Sequence, residues 1–134
     1  MCVFCKIATG EIPSYKVYED DSFLAFLDLS QATIGHLLVI PKTHCESIFA
    51  LDDSNDIFKV VIRLSKALKS LPNVKGINVL NNNGIIAGQT VNHFHIHIIP
   101  RYDGDSIQIK FGENKLSPEN LTRLANEIKK NSSI

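Results

Sequence analysis

Residues 93–99 read His93-Phe94-His95-Ile96-His97-Ile98-Ile99, with an imidazole at every second position and a large apolar side chain between each pair. Successive side chains of a β-strand point to opposite faces, so the alternation predicts a strand over residues 91–100. The three imidazoles then line one face, about 7 Å apart per step, while Phe94, Ile96 and Ile98 line the other. Core packing does not produce such a row, because each buried imidazole needs a partner for each ring nitrogen.

The remaining pattern supplies a sheet for this strand. Residues 16–19 and 22–29 read as strands separated by the acidic turn Asp20-Asp21, after a turn at Gly10-Glu11-Ile12-Pro13-Ser14 that follows a short N-terminal segment. Residues 37–40 are a continuous apolar run ended by Pro41 and read as a buried strand; residues 76–80 read as another. Between them, Ile57, Val61, Leu64, Leu68 and Leu71 share one face of a helix over residues 54–71, with Lys59, Arg63, Lys66 and Lys69 off that face and Pro72 ending it. Ser117-Pro118 is an N-cap with a first-turn proline, and Leu121, Leu124, Ala125 and Ile128 give a C-terminal amphipathic helix. Hairpin-sized connections with one long helix predict an antiparallel α+β domain. One helix stripe plus one sheet face leaves much apolar surface uncovered in so short a chain, so the Ile57–Leu71 stripe and residues 76–80 predict a symmetric homodimer.

The 134 residues fit a single domain, with no internal repeat or linker. The 14 Lys and Arg balance the 14 Asp and Glu, which argues against a generic nucleic-acid or anionic-membrane binder. Any phosphate must therefore be held by a local site. No apolar run is long enough for a membrane span, and no signal peptide is visible, so a cytoplasmic location is expected. Three cysteines in a reducing compartment favour thiols or metal ligands over a disulfide framework.

Two chemistries suit the histidine row. Alternating imidazoles can present metal ligands. Alternatively, one imidazole can attack an electrophile while its neighbours orient it and bind charge. The loop over residues 81–92 runs directly into the row: Gly84 and Gly88 permit backbone conformations that aim N–H groups inward, and Gln89 and Thr90 add side-chain donors, together an anion cradle.

With these blocks in place, the sequence resembles the histidine triad (HIT) family of nucleotide hydrolases and transferases. The likeness runs over residues 4–102 and leaves 103–134 as a C-terminal extension. It rests on the triad, on Gly35-His36-Leu37-Leu38-Val39-Ile40-Pro41-Lys42-Thr43-His44, on Phe26-Leu27-Asp28 and on the Gly10-Glu11-Ile12-Pro13 turn. The resemblance implies a five-stranded antiparallel sheet with one long helix, paired into a ten-stranded sheet across a homodimer. It implies that His95 attacks the α-phosphorus of a purine nucleotide conjugate, with a nucleotidyl-histidine intermediate resolved by water. His97 would hydrogen-bond the α-phosphate or leaving group, and His93 would orient His95. Gly88, Gln89 and Thr90 would hold phosphate, Asn82 the ribose or bridging region, and Asp28 the ribose hydroxyls. Phe4, Ile7, Phe26 and Leu29 would line the base slot. Cleavage of diadenosine polyphosphates, a metal-dependent hydrolase using all three triad histidines, and a regulatory nucleotide-binding module are the alternatives.

Cys2-x-x-Cys5 has the spacing of a two-ligand zinc knuckle, which needs completion. Bacterial proteins of the resembled family that begin this way imply a structural zinc site with His44 and His93 as the other ligands, and no organic cofactor. Cys45, beside His44, is expected to point away.

Overall fold

The computed structural model describes residues 2–132. Strands β1 (Lys16–Glu19), β2 (Phe23–Leu27), β3 (Leu37–Pro41), β4 (Gly76–Leu80) and β5 (Ile96–Arg101) join helices α1 (Val3–Ala8), α2 (Ile57–Lys69) and α3 (Pro118–Ser132). The strands form one sheet in the order β1-β2-β3-β5-β4, every neighbouring pair antiparallel. This is the α+β architecture expected from the sequence.

The sheet has two differently built faces. On one, Phe23, Ala25, Leu37, Val39, Phe94, Ile96 and Ile98 pack under α2, which contributes Ile57, Val60, Val61, Leu64 and Leu68. On the other, Leu24, Phe26, Leu38 and Ile40 pack against Phe4 and Ile7 of α1. β2 and β3 are buried on both faces, which is why they read as unbroken apolar runs. The register places Leu38 opposite both Phe26 and His97, so His97 opens onto the α1 face.

Four sequence expectations change in detail. The α2 stripe is used inside the protomer: Ile57, Val61, Leu64 and Leu68 are buried against the sheet, and Leu71 alone stays exposed. A periodic apolar face reports that something covers it, not whether the cover is the chain's own sheet. The apolar side chains of α2 that face outward are Phe58 and Ile62. The last strand begins at Ile96 rather than at residue 91, because the main chain of residues 93–95 is held by other groups: Phe94 N–H donates to Cys45 O at 2.6 Å and His95 O accepts from Asn81 Nδ2 at 2.8 Å. The N-terminal segment is a helix, capped by the Cys2 sulfur, which accepts from Cys5 N–H at 3.1 Å. The C-terminal helix has its Ser117 cap, with Asn120 N–H on Ser117 Oγ at 3.1 Å, but none of its residues is buried. Arg101, bound to Asp105, Asn78 and Ile107 O, anchors the start of that extension beside β4. Among the described residues no helix is long and apolar enough to cross a membrane.

Candidate active site

All five histidines gather on the α1 face at the open ends of β3 and β5. His93 and His95 are buried and His97 is half-buried. Nδ1 of His95 lies 2.7 Å from the His93 carbonyl, which can only accept, so the His95 proton sits on Nδ1 and Nε2 keeps its lone pair. The Phe4 ring meets the His95 ring edge-on, with centroids 5.1 Å apart, and walls it on one side.

A second chain of bonds fixes His97. Ala32 N–H can only donate, and it lies 3.2 Å from Nδ1 of His36. That assigns the His36 proton to Nε2, which then donates to Nδ1 of His97 at 2.9 Å. His97 is left with its proton on Nε2, as a donor without a protein acceptor among the described residues. Burial lowers the pKa of His36 below its usual value, against the pull of Asp28. Burial, then the nearby His95 and His36, pushes His97 down to about 4, so the pair is neutral at pH 7. Asp28 completes this corner, with Oδ2 3.7 Å from His36 Nε2 and Oδ1 accepting from Ser30 N–H at 2.8 Å. His36 stands in the sequence block beside Gly35, but the strand pattern gives no sign of its contact with His97. The signal that could have found it is the need of each triad ring for a second partner.

The loop between β4 and β5 is tied down by side-chain amides. Gly84 and Gly88 have φ of 95° and 98°, the left-handed region that glycine enters freely, and a Cβ on Gly88 would lie 3.4 Å from Asn82 Nδ2. Gln89 does not hang free: Oε1 accepts from Gly84 N–H at 2.9 Å, and Nε2 donates to Glu46 O at 2.7 Å and Val91 O at 3.0 Å. Its amide hydrogens are thus engaged by the loop, and what it offers a phosphate is the shape of that loop. Thr90 is exposed, and Asn82 is half-buried beside Gly88. Sequence reasoning passed over the neighbours Asn81 and Asn83. Asn81 Nδ2 holds the His95 carbonyl at 2.8 Å and Asn83 holds Asn81.

Beside the histidines lies an open cleft of about 590 Å³, lined by Phe4, Ile7, Phe26 and Leu29 together with Val3, Tyr15 and Leu38, and carrying Asp28 at its rim. Its lining is mostly apolar, with the Asp28 carboxylate as the one charged group in it among the described residues.

Behind the row, Cys2, Cys5, His44 and His93 form a cluster that could hold a metal ion. His93 Nδ1 lies 3.3 Å from Cys2 Sγ and 3.5 Å from Cys5 Sγ; the corresponding distances from His44 Nδ1 are 3.6 Å and 3.2 Å. A tetrahedral zinc with bonds of about 2.3 Å to sulfur and about 2.0 Å to nitrogen sets sulfur and nitrogen about 3.5 Å apart, so the sulfur–nitrogen spacings fit, while the two sulfurs, 3.0 Å apart, would separate to about 3.8 Å around the ion. His93 Nε2 donates to Pro41 O at 2.8 Å, which leaves Nδ1 as the lone-pair nitrogen facing the thiols. The Cys5 thiol is pushed up by its hydrogen bond with Cys2 and then by burial, and a cation between them is what would let both ionise. Cys45 is outside this cluster, its thiol on Ser47 O. Asp28, His36 and His97 form a second close group, but the Ala32 N–H keeps the His36 proton on the nitrogen a metal would need. The triad rings do not converge on one centre: His93 faces the thiols, His95 the His93 carbonyl and His97 the His36 ring.

Residues 9–104 match the family model of the HIT domain. The chain belongs to the HIT family. It is similar to the Bacillus subtilis protein named Protein hit, with 47% identity over 134 residues, covering 96% of this chain and 92% of that one. A crystal structure of a HIT family member from Bacillus subtilis superposes with a TM-score of 0.91 at 44% identity, covering 99% of this chain and 98% of the other. An adenosine 5'-monophosphoramidase of Candida albicans is 44% identical over 108 residues, covering 76% of this chain and 71% of that protein. HIT membership and a relative of named activity support nucleotide hydrolysis at the level of the family.

Proposed function

We propose that this HIT protein cleaves purine nucleoside monophosphate conjugates, of the phosphoramidate type, at the α-phosphorus through a nucleotidyl-His95 intermediate. The observation that carries this reading is the tautomer of His95: its Nδ1–H is held by the His93 carbonyl, so Nε2 offers a lone pair beside the neutral donor His97. His95 Nε2 forms a bond to phosphorus. The bond to the leaving amine breaks, and the amine keeps that electron pair and takes a proton from solvent. The imidazole becomes cationic, and its Nδ1–H bond to the His93 carbonyl strengthens as the charge develops. Water then attacks phosphorus, the bond to Nε2 breaks, and a proton returns to solvent. His97 Nε2–H and the Thr90 N–H and hydroxyl hold the phosphate oxygens, while Gly88 and Gln89, whose own N–H groups close the loop on Ile85 O and Gly84 O, shape the turn beside them. Asn82, beside Gly88, serves the ribose or bridging region in this reading. The ring sits between Phe4, Ile7, Phe26 and Leu29, and Asp28 accepts from the ribose hydroxyls.

In the same reading a structural zinc sits on Cys2, Cys5, His44 and His93. It fixes α1 and the His93 ring and takes no part in bond breaking. A second copy of the chain pairs along the free edge of β4, where the outward Phe58 and Ile62 of α2 and Val79 of β4 supply the apolar contact. Steady-state kinetics on a panel of adenosine phosphoramidates and diadenosine polyphosphates test the substrate class. Higher kcat/KM on the phosphoramidates supports it; preference for the dinucleotides replaces it, and binding without turnover reduces the protein to a nucleotide-binding module.

A further inference from the structure

We propose that Asn81 and Asn83 are positioning residues that keep the main chain of His95 in place for attack, through a ladder of side-chain amides anchored on the loop at Ile48. The proposal rests on His95 being the nucleophile. Backbone pairing between β4 and β5 ends at Leu80 opposite His97, so His95 lies just beyond the last rung. Asn81 supplies the missing rung, its Nδ2 donating to His95 O at 2.8 Å. Asn83 Nδ2 donates to Asn81 Oδ1 at 2.5 Å, and Asn83 Oδ1 accepts from Ile48 N–H at 2.7 Å.

Both ends of this ladder force its direction. Ile48 N–H can only donate, so the oxygen of Asn83 must face it and its NH₂ must face Asn81. The carbonyl of His95 can only accept, so the NH₂ of Asn81 must face it, which turns the Asn81 oxygen toward Asn83. The two amides are therefore in register from either end, which two surface asparagines in a loop have no reason to be. With its ring on His93 O and its carbonyl on Asn81, His95 is held at both its side chain and its main chain. Gln89 reinforces the same joint by tying Glu46 O to the loop that starts at Gly84.

The ladder makes an uncommon prediction about an isosteric change. Asn83→Asp keeps an acceptor for Ile48 N–H but sets a carboxylate oxygen against Asn81 Oδ1 with no hydrogen between them. Turning Asn81 over relieves that contact but sets its oxygen against the His95 carbonyl, so the ladder loses a rung either way: the one between the two side chains if Asn81 stays, the one to His95 if it turns. Displacement of a nucleophile by about an ångström costs about a hundredfold in rate. The experiment compares wild type, Asn81→Leu, Asn83→Asp, the double variant and His95→Ala. It measures the single-turnover rate on an adenosine phosphoramidate, the Kd for AMP and the melting temperature. The expected result is a fall of about a hundredfold in the single-turnover rate for Asn81→Leu and for Asn83→Asp, with AMP affinity and folding retained. The double variant is no slower than the worse single one, because the two act in series. Asn81→Gln, which keeps the donor, restores part of the rate. If Asn81→Leu does not fold, Asn83→Asp decides. Wild-type rates in Asn83→Asp beside an inactive His95→Ala overturn the ladder and leave the nucleophile standing. An active His95→Ala overturns the nucleophile, and the ladder's purpose with it.

Discussion

Replacing Cys2 and Cys5 together by serine should weaken nucleotide binding and stability while sparing the chemical step. The pair supplies both sulfur donors of the candidate metal centre, and that centre sits under α1, a helix of only 6 residues. A helix this short does not stand alone, so its place rests on the docking of Phe4 and Ile7, which are 7% and 8% exposed, and would rest also on a metal held by the two sulfurs. Undocking two such side chains costs roughly 3 kcal/mol even with partial re-burial, before any metal free energy is counted. In a domain of this size that is a fall of about 10 °C in melting temperature. Val3, Phe4 and Ile7 also wall the cleft. A ring that loses about 60 Å² of apolar contact loses about 1.5 kcal/mol of binding at 25 cal/mol/Å². That is a rise of roughly tenfold in KM. By contrast, the His95 Nδ1 bond to His93 O and the His93 Nε2 bond to Pro41 O use neither sulfur, so most of kcat should remain. The assay is metal content per chain, thermal melting and kcat with KM, on wild type, the double variant and chelated wild type. Wild type purified without metal, or a double variant with unchanged melting and KM, refutes the structural site. Loss of kcat with melting unchanged points instead to a catalytic metal.

Three further outcomes follow from the same geometry. His36→Ala removes the donor that fixes the His97 tautomer and should lower kcat by roughly a hundredfold with AMP affinity retained, by kinetics and calorimetry; equal kcat would show that His97 needs no orienting partner. Lowering the pH should destabilise the fold through His97. Its folded pKa of about 4 lies below the unfolded value, so the folded state binds fewer protons. Its stabilisation is then present above about pH 6.5 and is lost as pH falls toward 4, read as a falling unfolding midpoint in denaturant titrations. Introducing charge on the outer face of α2, as in Phe58→Glu with Ile62→Glu, should convert a dimer to a monomer by sedimentation at micromolar concentration; a wild-type monomer would remove the proposed pairing along β4.

The sequence carries much of this fold because its strands have strong local signatures. Residues 76–80 form β4, and the run ending at Pro41 is β3. The histidine alternation survives although regular pairing begins only at Ile96: Phe94, Ile96 and Ile98 go into the core under α2 while His97 lies on the α1 face. α1 escaped because its stability comes from tertiary docking and a cysteine cap rather than from its own period. The α2 stripe was visible but its cover was not, since the same spacing serves a protomer core or a dimer seam. In the site, residue types that announce themselves were found: Cys2, Cys5, His44 and His93 do come together in space. Partners defined only by a hydrogen bond across the fold were not. His36 reaches His97 across 61 residues, and Asn81 holds the His95 carbonyl just beyond the sheet's last rung, contacts that no spacing in the sequence announces.

The measurement that tests the central claim most directly is the stereochemical course at phosphorus. A nucleoside phosphoramidate made chiral at the α-phosphorus by sulfur substitution is hydrolysed in ¹⁸O-labelled water, and the configuration of the phosphorothioate product is determined. Attack by His95 followed by attack of water is two in-line displacements, each inverting the centre, so the account predicts net retention. It also predicts that His95→Ala gives no product on the same timescale. Net inversion would mean that water attacks the substrate directly, and would contradict a nucleotidyl-histidine intermediate whatever the rates.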